Sequence, residues 1–215
     1  MYGINIKNNF SEFQIDSVFG NYAYVEGADG ISPGEVTFNT PSNFPPVVLI
    51  RPSSGFSLKD FKYSSNKYTG FEVETDGASF DYRAYFANVP SLEAGNENFG
   101  MRIFNARGEV MYDSGKSPFK IIDVFENIEY GVSYEHPIIE NPFYLFSPLL
   151  MGLRGFVYGR QGPVYRMLSM LYVSNATHFY IDWVQANQIG VTNSAFSNYD
   201  EGNVKVIVCD AGRSV

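Results

Sequence analysis

Between Gly70 and Phe86 the chain reads GFEVETDGASFDYRAYF. Apolar and polar residues alternate on both sides of Asp76-Gly77, the period of a half-buried strand. Asp-Gly is a strong two-residue turn signal. The implied hairpin pairs Thr75 with Ala78, Glu74 with Ser79, Val73 with Phe80, Glu72 with Asp81 and Phe71 with Tyr82. Phe71, Val73, Phe80 and Tyr82 then share one face, and Glu72, Glu74, Ser79 and Asp81 the other. A one-residue slip would mix the two sets. The chain is therefore expected to be built from pleated, antiparallel strands.

The residues on either side support that expectation. Val47-Val48-Leu49-Ile50 is a continuous apolar run behind Pro45-Pro46, the pattern of a strand buried on both faces. Val164–Val173 and His178–Val184 read as two longer strands joined by Ser174-Asn175-Ala176-Thr177. Val204–Cys209 reads as the last strand. Phe143–Leu150 and Gly155–Tyr158 read as short aromatic strands. Gln185–Asn203, rich in Asn, Ser and Gly, has the composition of a surface loop. No segment holds a helical apolar spacing. Many short strands with frequent turns point to an all-β fold, an antiparallel β-sandwich of jelly-roll type.

One pattern occurs twice. Tyr2–Ser17, YGINIKNNFSEFQIDS, aligns without a gap on Phe99–Ser114, FGMRIFNARGEVMYDS, offset by 97 positions. Gly3/Gly100, Ile6/Ile103, Asn8/Asn105, Glu12/Glu109, Asp16/Asp113 and Ser17/Ser114 are identical. Each copy reads as strand, turn and strand. Gly108 supplies the positive φ such a turn needs, whereas the first copy has Ser11 there. The expected organisation is a β-sandwich over 1–125 containing hairpins 2–17 and 99–114, followed by a smaller β-region over 126–215. One continuous sandwich over 1–215 is the alternative.

The aromatic-Gly strand, the N-x-x-G turn and the closing apolar-Asp-Ser resemble a group of small tail proteins of long-tailed bacteriophages, encoded near the host-specificity protein of the tail tip. The resemblance covers about the first 125 residues, through Lys120-Ile121-Ile122-Asp123-Val124. It implies a non-enzymatic structural component of a tail tip or fibre, located in the virion after synthesis in the host cytoplasm. It implies a homo-oligomer, a trimer being favoured, in contact with other tail proteins and with a host receptor or glycan. It brings no catalytic residues with it.

The 215 residues carry 15 Lys and Arg against 23 Asp and Glu, a net charge of −8. Phosphate backbones and anionic membranes are repelled by such a surface, so nucleic acid is not an expected partner. The apolar stretch Pro142–Tyr158 is interrupted by Pro148, Gly152, Arg154 and Gly155, which argues against a membrane span. No secretion signal is visible at the N-terminus. The lone Cys209 sits in an apolar run and reads as a buried thiol, neither disulfide-bonded nor nucleophilic.

Few residues suggest chemistry. Catalysis by a Ser-His-acid set needs a positioned His, and only His136 and His178 exist; both read as ordinary surface or core residues. No G-x-S-x-G elbow is present. Gly152–Gly155 lacks the context of a phosphate loop. Asn9-Phe10-Ser11 and Asn175-Ala176-Thr177 match the glycosylation sequon but read as turns. No cofactor is expected. Ligand count excludes a structural zinc site. Glu72, Glu74 and Asp81 share one face of the expected hairpin and are the candidate calcium ligands or acidic docking patch, against a solvated edge relieved by Arg83. Phe143, Tyr144, Phe146, Phe156 and Tyr158 are the candidate interface residues, against an ordinary core segment. Trp183, at the base of Gln185–Asn203, is the candidate glycan contact. A structural tail protein is thus weighed against a carbohydrate- or receptor-binding module and against a polysaccharide hydrolase using two carboxylates.

Overall fold

The structure is a computed structural model. It describes residues 22–87, 119–147, 151–157, 160–199 and 204–211, together with 5–7, 13–16, 102–104, 107–108 and 110–113. All regular elements among these residues are strands. In chain order they are β1 (Asn5–Lys7), β2 (Phe13–Asp16), β3 (Ala23–Ile31), β4 (Gly34–Ser42), β5 (Val47–Pro52) and β6 (Gly55–Ser64). Then come β7 (Lys67–Thr75), β8 (Phe80–Phe86), β9 (Arg102–Phe104), β10 (Val110–Asp113), β11 (Lys120–Glu126) and β12 (Ser133–Glu135). The last six are β13 (Pro142–Ser147), β14 (Met151–Gly155), β15 (Gly162–Asn175), β16 (His178–Thr192), β17 (Phe196–Tyr199) and β18 (Lys205–Asp210).

Two antiparallel sheets pack face to face as a β-sandwich. The smaller has six strands in the order β11-β18-β13-β5-β8-β3. The larger has eight: β12-β16-β15-β6-β7-β4, with β14 and β17 added beside β15. Aromatic rings from the two inner faces interlock. Phe71 lies 5.2 Å from Tyr82, Phe38 lies 5.0 Å from Phe86, and Tyr144 lies 5.9 Å from Phe179, all edge-to-face. Burying one such side chain contributes roughly 1.5–3 kcal/mol, and the edge-to-face pairing adds about 0.5–1.5 kcal/mol. Nine Phe and Tyr side chains are buried in this core between the sheets. The smaller sheet is buried on its other face as well, where Leu49, Tyr85, Phe143 and Cys209 form a second cluster against Phe119 and Tyr24. Val48, Leu49 and Ile50 are accordingly all buried, as their unbroken apolar run requires.

The Asp76-Gly77 turn does not close a hairpin. β7 belongs to the larger sheet and β8 to the smaller, so the turn is a corner between layers. Gly77 takes φ +101°, and Thr75 Oγ1 accepts from the Gly77 amide while donating to the Ala78 carbonyl. Phe71, Val73, Phe80 and Tyr82 do share one space, but they meet from opposite walls of the core. The expected pairing of Glu72 with Asp81 is replaced: Glu72 lies between Glu35 of β4 and Asp60 of β6, while Asp81 pairs with Arg51 of β5.

The boundary expected at 125/126 separates nothing. β13 and β18 lie in the same sheet as β5, β8 and β11, and one core cluster runs from Val36 to Val208. The described strands of the repeated hairpins pair with each other and with no strand of the two sheets. β1–β2 and β9–β10 are separate two-stranded ribbons. Their registers coincide. Asn5↔Asp16, Ile6↔Ile15 and Lys7↔Phe13 become Arg102↔Asp113, Ile103↔Tyr112 and Phe104↔Val110 when shifted by the offset of the repeat. The same position is bulged in both, and Gly108 has φ +80°.

Finally, the stretch expected as a loop over Gln185–Asn203 is largely strand as far as Tyr199, and 200–203 lie outside the described residues. Its first part continues β16 to Thr192, and β17 follows. With β14 and the first half of β15 these strands form a four-stranded wing in the order β16-β15-β14-β17. Gln185–Val191 and Phe196–Asn198 are exposed residue after residue, so the wing has solvent on both faces.

Candidate functional site

The wing meets the sandwich at a groove on the outer face of the larger sheet. The cavity is about 440 Å³ and is lined by Lys59, Asp60, Glu72, Glu74, Met151, Arg166, Leu168, Ala186 and Asn187. Strand alternation puts Glu72 and Glu74 here, since Phe71 and Val73 point into the core. Two β-bulges shape the walls. One lies between Leu58 and Asp60, so that Lys59 is the extra residue; the other lies opposite Arg166 and Met167, where Ala186 is extra. A bulge leaves one residue unpaired and redirects it, which brings Lys59 beside the two glutamates.

The polar groups of the groove are strongly matched. Lys59 Nζ is 2.6 Å from Glu72 and 3.1 Å from Glu74, and Lys62 Nζ is 2.9 Å from the other oxygen of Glu72. Hydrogen bonds from Lys59 and Lys62 hold the Glu72 carboxyl down at about 2, and the Lys59 ammonium is raised in turn, chiefly by its bond to Glu72. Two lysines therefore offset the like-charge crowding of Glu72 with Glu35 and Asp60. A general acid working near neutral pH needs a raised carboxyl pKa; Glu72 is moved the other way. The groove offers charged and hydrogen-bonding groups over the apolar floor of Leu168 and Met151.

The three expected acidic ligands do not converge. Glu72 and Glu74 face the groove, whereas Asp81 accepts from Arg51 Nε at 2.7 Å and from the Gly30 amide at 2.7 Å. Arg83 serves Asp29 at 2.8 Å and does not relieve Glu72. Among the described residues no group of three acids, histidines or cysteines is placed to hold a metal ion.

The aromatic interface candidates divide. Phe143, Tyr144 and Phe146 are buried within the chain itself, so they form no free contact surface. Arg51 and Arg83 lie 5.3 and 5.1 Å from the Phe143 ring centroid. Phe156 is half-buried on the wing, edge-on to Tyr165 at 6.0 Å, with Arg154 4.7 Å from its centroid. Tyr158 lies outside the described residues. Trp183 is half-buried and stacks on Tyr130 at 4.9 Å, so one indole face is already occupied. His136 is a core histidine: Nδ1 donates to the Pro137 carbonyl at 2.8 Å, leaving Nε2 to accept from Tyr144 Oη at 2.9 Å. His178 bonds locally to Thr177 and Asn175. Cys209 is fully buried, and burial pushes its thiol up to about 12.

Sequence reasoning named Glu72 and Glu74 but missed Lys59, Arg166 and Asn187. No spacing links residues 59, 72, 166 and 187; only the sheet order β16-β15-β6-β7 brings them together. No family model matches the chain, and searches of curated proteins and of solved structures found no match either.

Proposed function

We propose that this protein is a non-enzymatic structural subunit of a long-tailed phage tail tip or fibre, assembling with copies of itself and with other tail proteins. The observation that carries the assembly reading is the wing. A four-stranded sheet open on both faces has no core of its own, yet it exposes Met151, Leu153, Ile189, Val191 and Phe196. Clustered exposed apolar side chains mark contact surfaces. The resemblance of the repeated ribbon supports the placement in a tail. The test is light scattering after size exclusion at micromolar concentration, with an oligomer as the expected result. A monomer under those conditions removes the reading. Mass spectrometry of purified particles tests the location.

The groove supports a receptor- or glycan-binding role as the second reading, because Arg166, Asn187 and Glu74 offer hydrogen-bonding groups around an apolar floor. Retention on host cells or on a glycan array, lost in Arg166→Ala, is the expected outcome under that reading.

A further inference from the structure

Twelve large apolar side chains are exposed among the described residues, and nine of them fall into two patches. Five are on the wing. The other four, Ile121, Val124, Val132 and Ile138, lie in the segment that forms one flank of the sandwich. There β11 is the outermost strand of the smaller sheet and β12 the outermost strand of the larger, bridged by Phe125 and Tyr134 with ring centroids 5.9 Å apart.

The two patches carry opposite charge. The wing, residues 151–168 and 183–199, contains Arg154, Arg160 and Arg166 and none of the 23 acidic residues; Asp182, Asp200 and Glu201 bound it along the chain. All three arginines are exposed. The flank, residues 120–140, contains Asp123, Glu126, Glu129, Glu135 and Glu140 against Lys120. Lys205 pairs with Glu126 at 2.5 Å. Both patches also present strand edges: among the described strands β11 pairs only with β18, and β17 only with β14. Open edges of this kind accept a further strand.

We propose that the wing of one copy docks on the acidic flank of the next copy, head to tail. The proposal rests on the self-assembly reading above and specifies its contact. Within one chain the flank touches only the base of the wing, where Trp183 stacks on Tyr130, and the outer wing lies beyond it. Phe179 of β16 pairs with Tyr134 on the flank, and ten residues of extended strand carry the chain from there to Ile189, a distance of about 30 Å along a continuous sheet. Symmetric alternatives oppose like charges: wing on wing sets arginine against arginine, and flank on flank sets acid against acid. Wing on flank joins unlike charges and covers both apolar patches at once. Such a contact uses two different surfaces, so it propagates into a closed ring or an open fibre.

The experiment uses the full chain in three forms: wild type, the wing variant Arg154→Glu/Arg166→Glu, and the flank variant Glu129→Lys/Glu135→Lys. All four positions are exposed, and circular dichroism with thermal melting confirms that each variant folds like the wild type. Wild type is expected to form an oligomer that weakens as salt is raised. Each variant alone is expected to associate at least tenfold more weakly. Mixing the two variants restores unlike charges at both contacts, intact wing on intact flank and Glu wing on Lys flank, so assembly is expected to recover. Monomeric wild type overturns the assembly reading and this contact with it. An oligomeric wild type whose variants assemble unchanged, or whose variants do not associate when mixed, overturns the contact alone.

Discussion

The sandwich and the wing are made of the same kind of strand and end in opposite states. β7 alternates Phe71 and Val73 with Glu72 and Glu74, and the second sheet covers its apolar face completely. β16 begins the same way, with Phe179 and Ile181 fully buried, but beyond Trp183 it runs on through Gln185–Val191 with no layer over it. Both halves of β16 are hydrogen-bonded to β15. What differs is burial, and burial supplies most of the stabilisation of a sheet. The sandwich encloses a core of its own, while the wing is an extension whose apolar side chains still face water.

Substitutions can break this comparison, beginning where the effect is greatest. Phe179 packs against Phe125, Tyr134, His136 and Tyr144. Phe179→Ala should cost about 3–5 kcal/mol in urea unfolding; a loss under 1 kcal/mol would mean that the sandwich is no better packed than the wing. Tyr144→Phe removes the hydroxyl that serves His136 Nε2 and strands a buried acceptor, for which about 1–3 kcal/mol is expected. The Glu72 ion pairs come next, on the outer face. The folded carboxyl titrates at about 2 against an ordinary 4.5, so its contribution is fully present above pH 4.5 and is lost as pH falls toward 2. Glu72→Gln should therefore flatten that part of the stability–pH curve relative to wild type, with little change above pH 6 in its slope. Smallest of all is Val191→Thr on the wing, for which less than about 0.5 kcal/mol is expected. A loss comparable to that of a core site would show that the wing is already covered within a single copy.

Much of the fold was legible because strand alternation is a local signal. Val47–Ile50 and Val204–Cys209 lie where their apolar runs place them, and both copies of the repeat pair in one register. Asp76-Gly77 was misread because alternation cannot distinguish a hairpin from a corner. In either case Phe71, Val73, Phe80 and Tyr82 end on a common side. The wing was hidden by its composition: strands wet on both faces need no period, so Gln185–Thr192 has the residues of a loop. The candidate site was half visible. Glu72 and Glu74 were named from their shared face, but their neighbours Lys59 and Arg166 come from strands more than a hundred positions apart in the chain, and nothing local encodes that adjacency.

The position of Cys209 makes the chain its own reporter. Its sulfur lies at the interior of the smaller sheet, on a strand hydrogen-bonded on both sides, and burial keeps it in the unreactive protonated form. A thiol-specific dye can reach it only after the side chains packed over its face of the sheet, Phe119 and Tyr24 among them, lift away. With a single cysteine in the chain, the labelling rate measures how often that cover opens, and assembly through the wing should leave this rate unchanged unless neighbouring copies brace it.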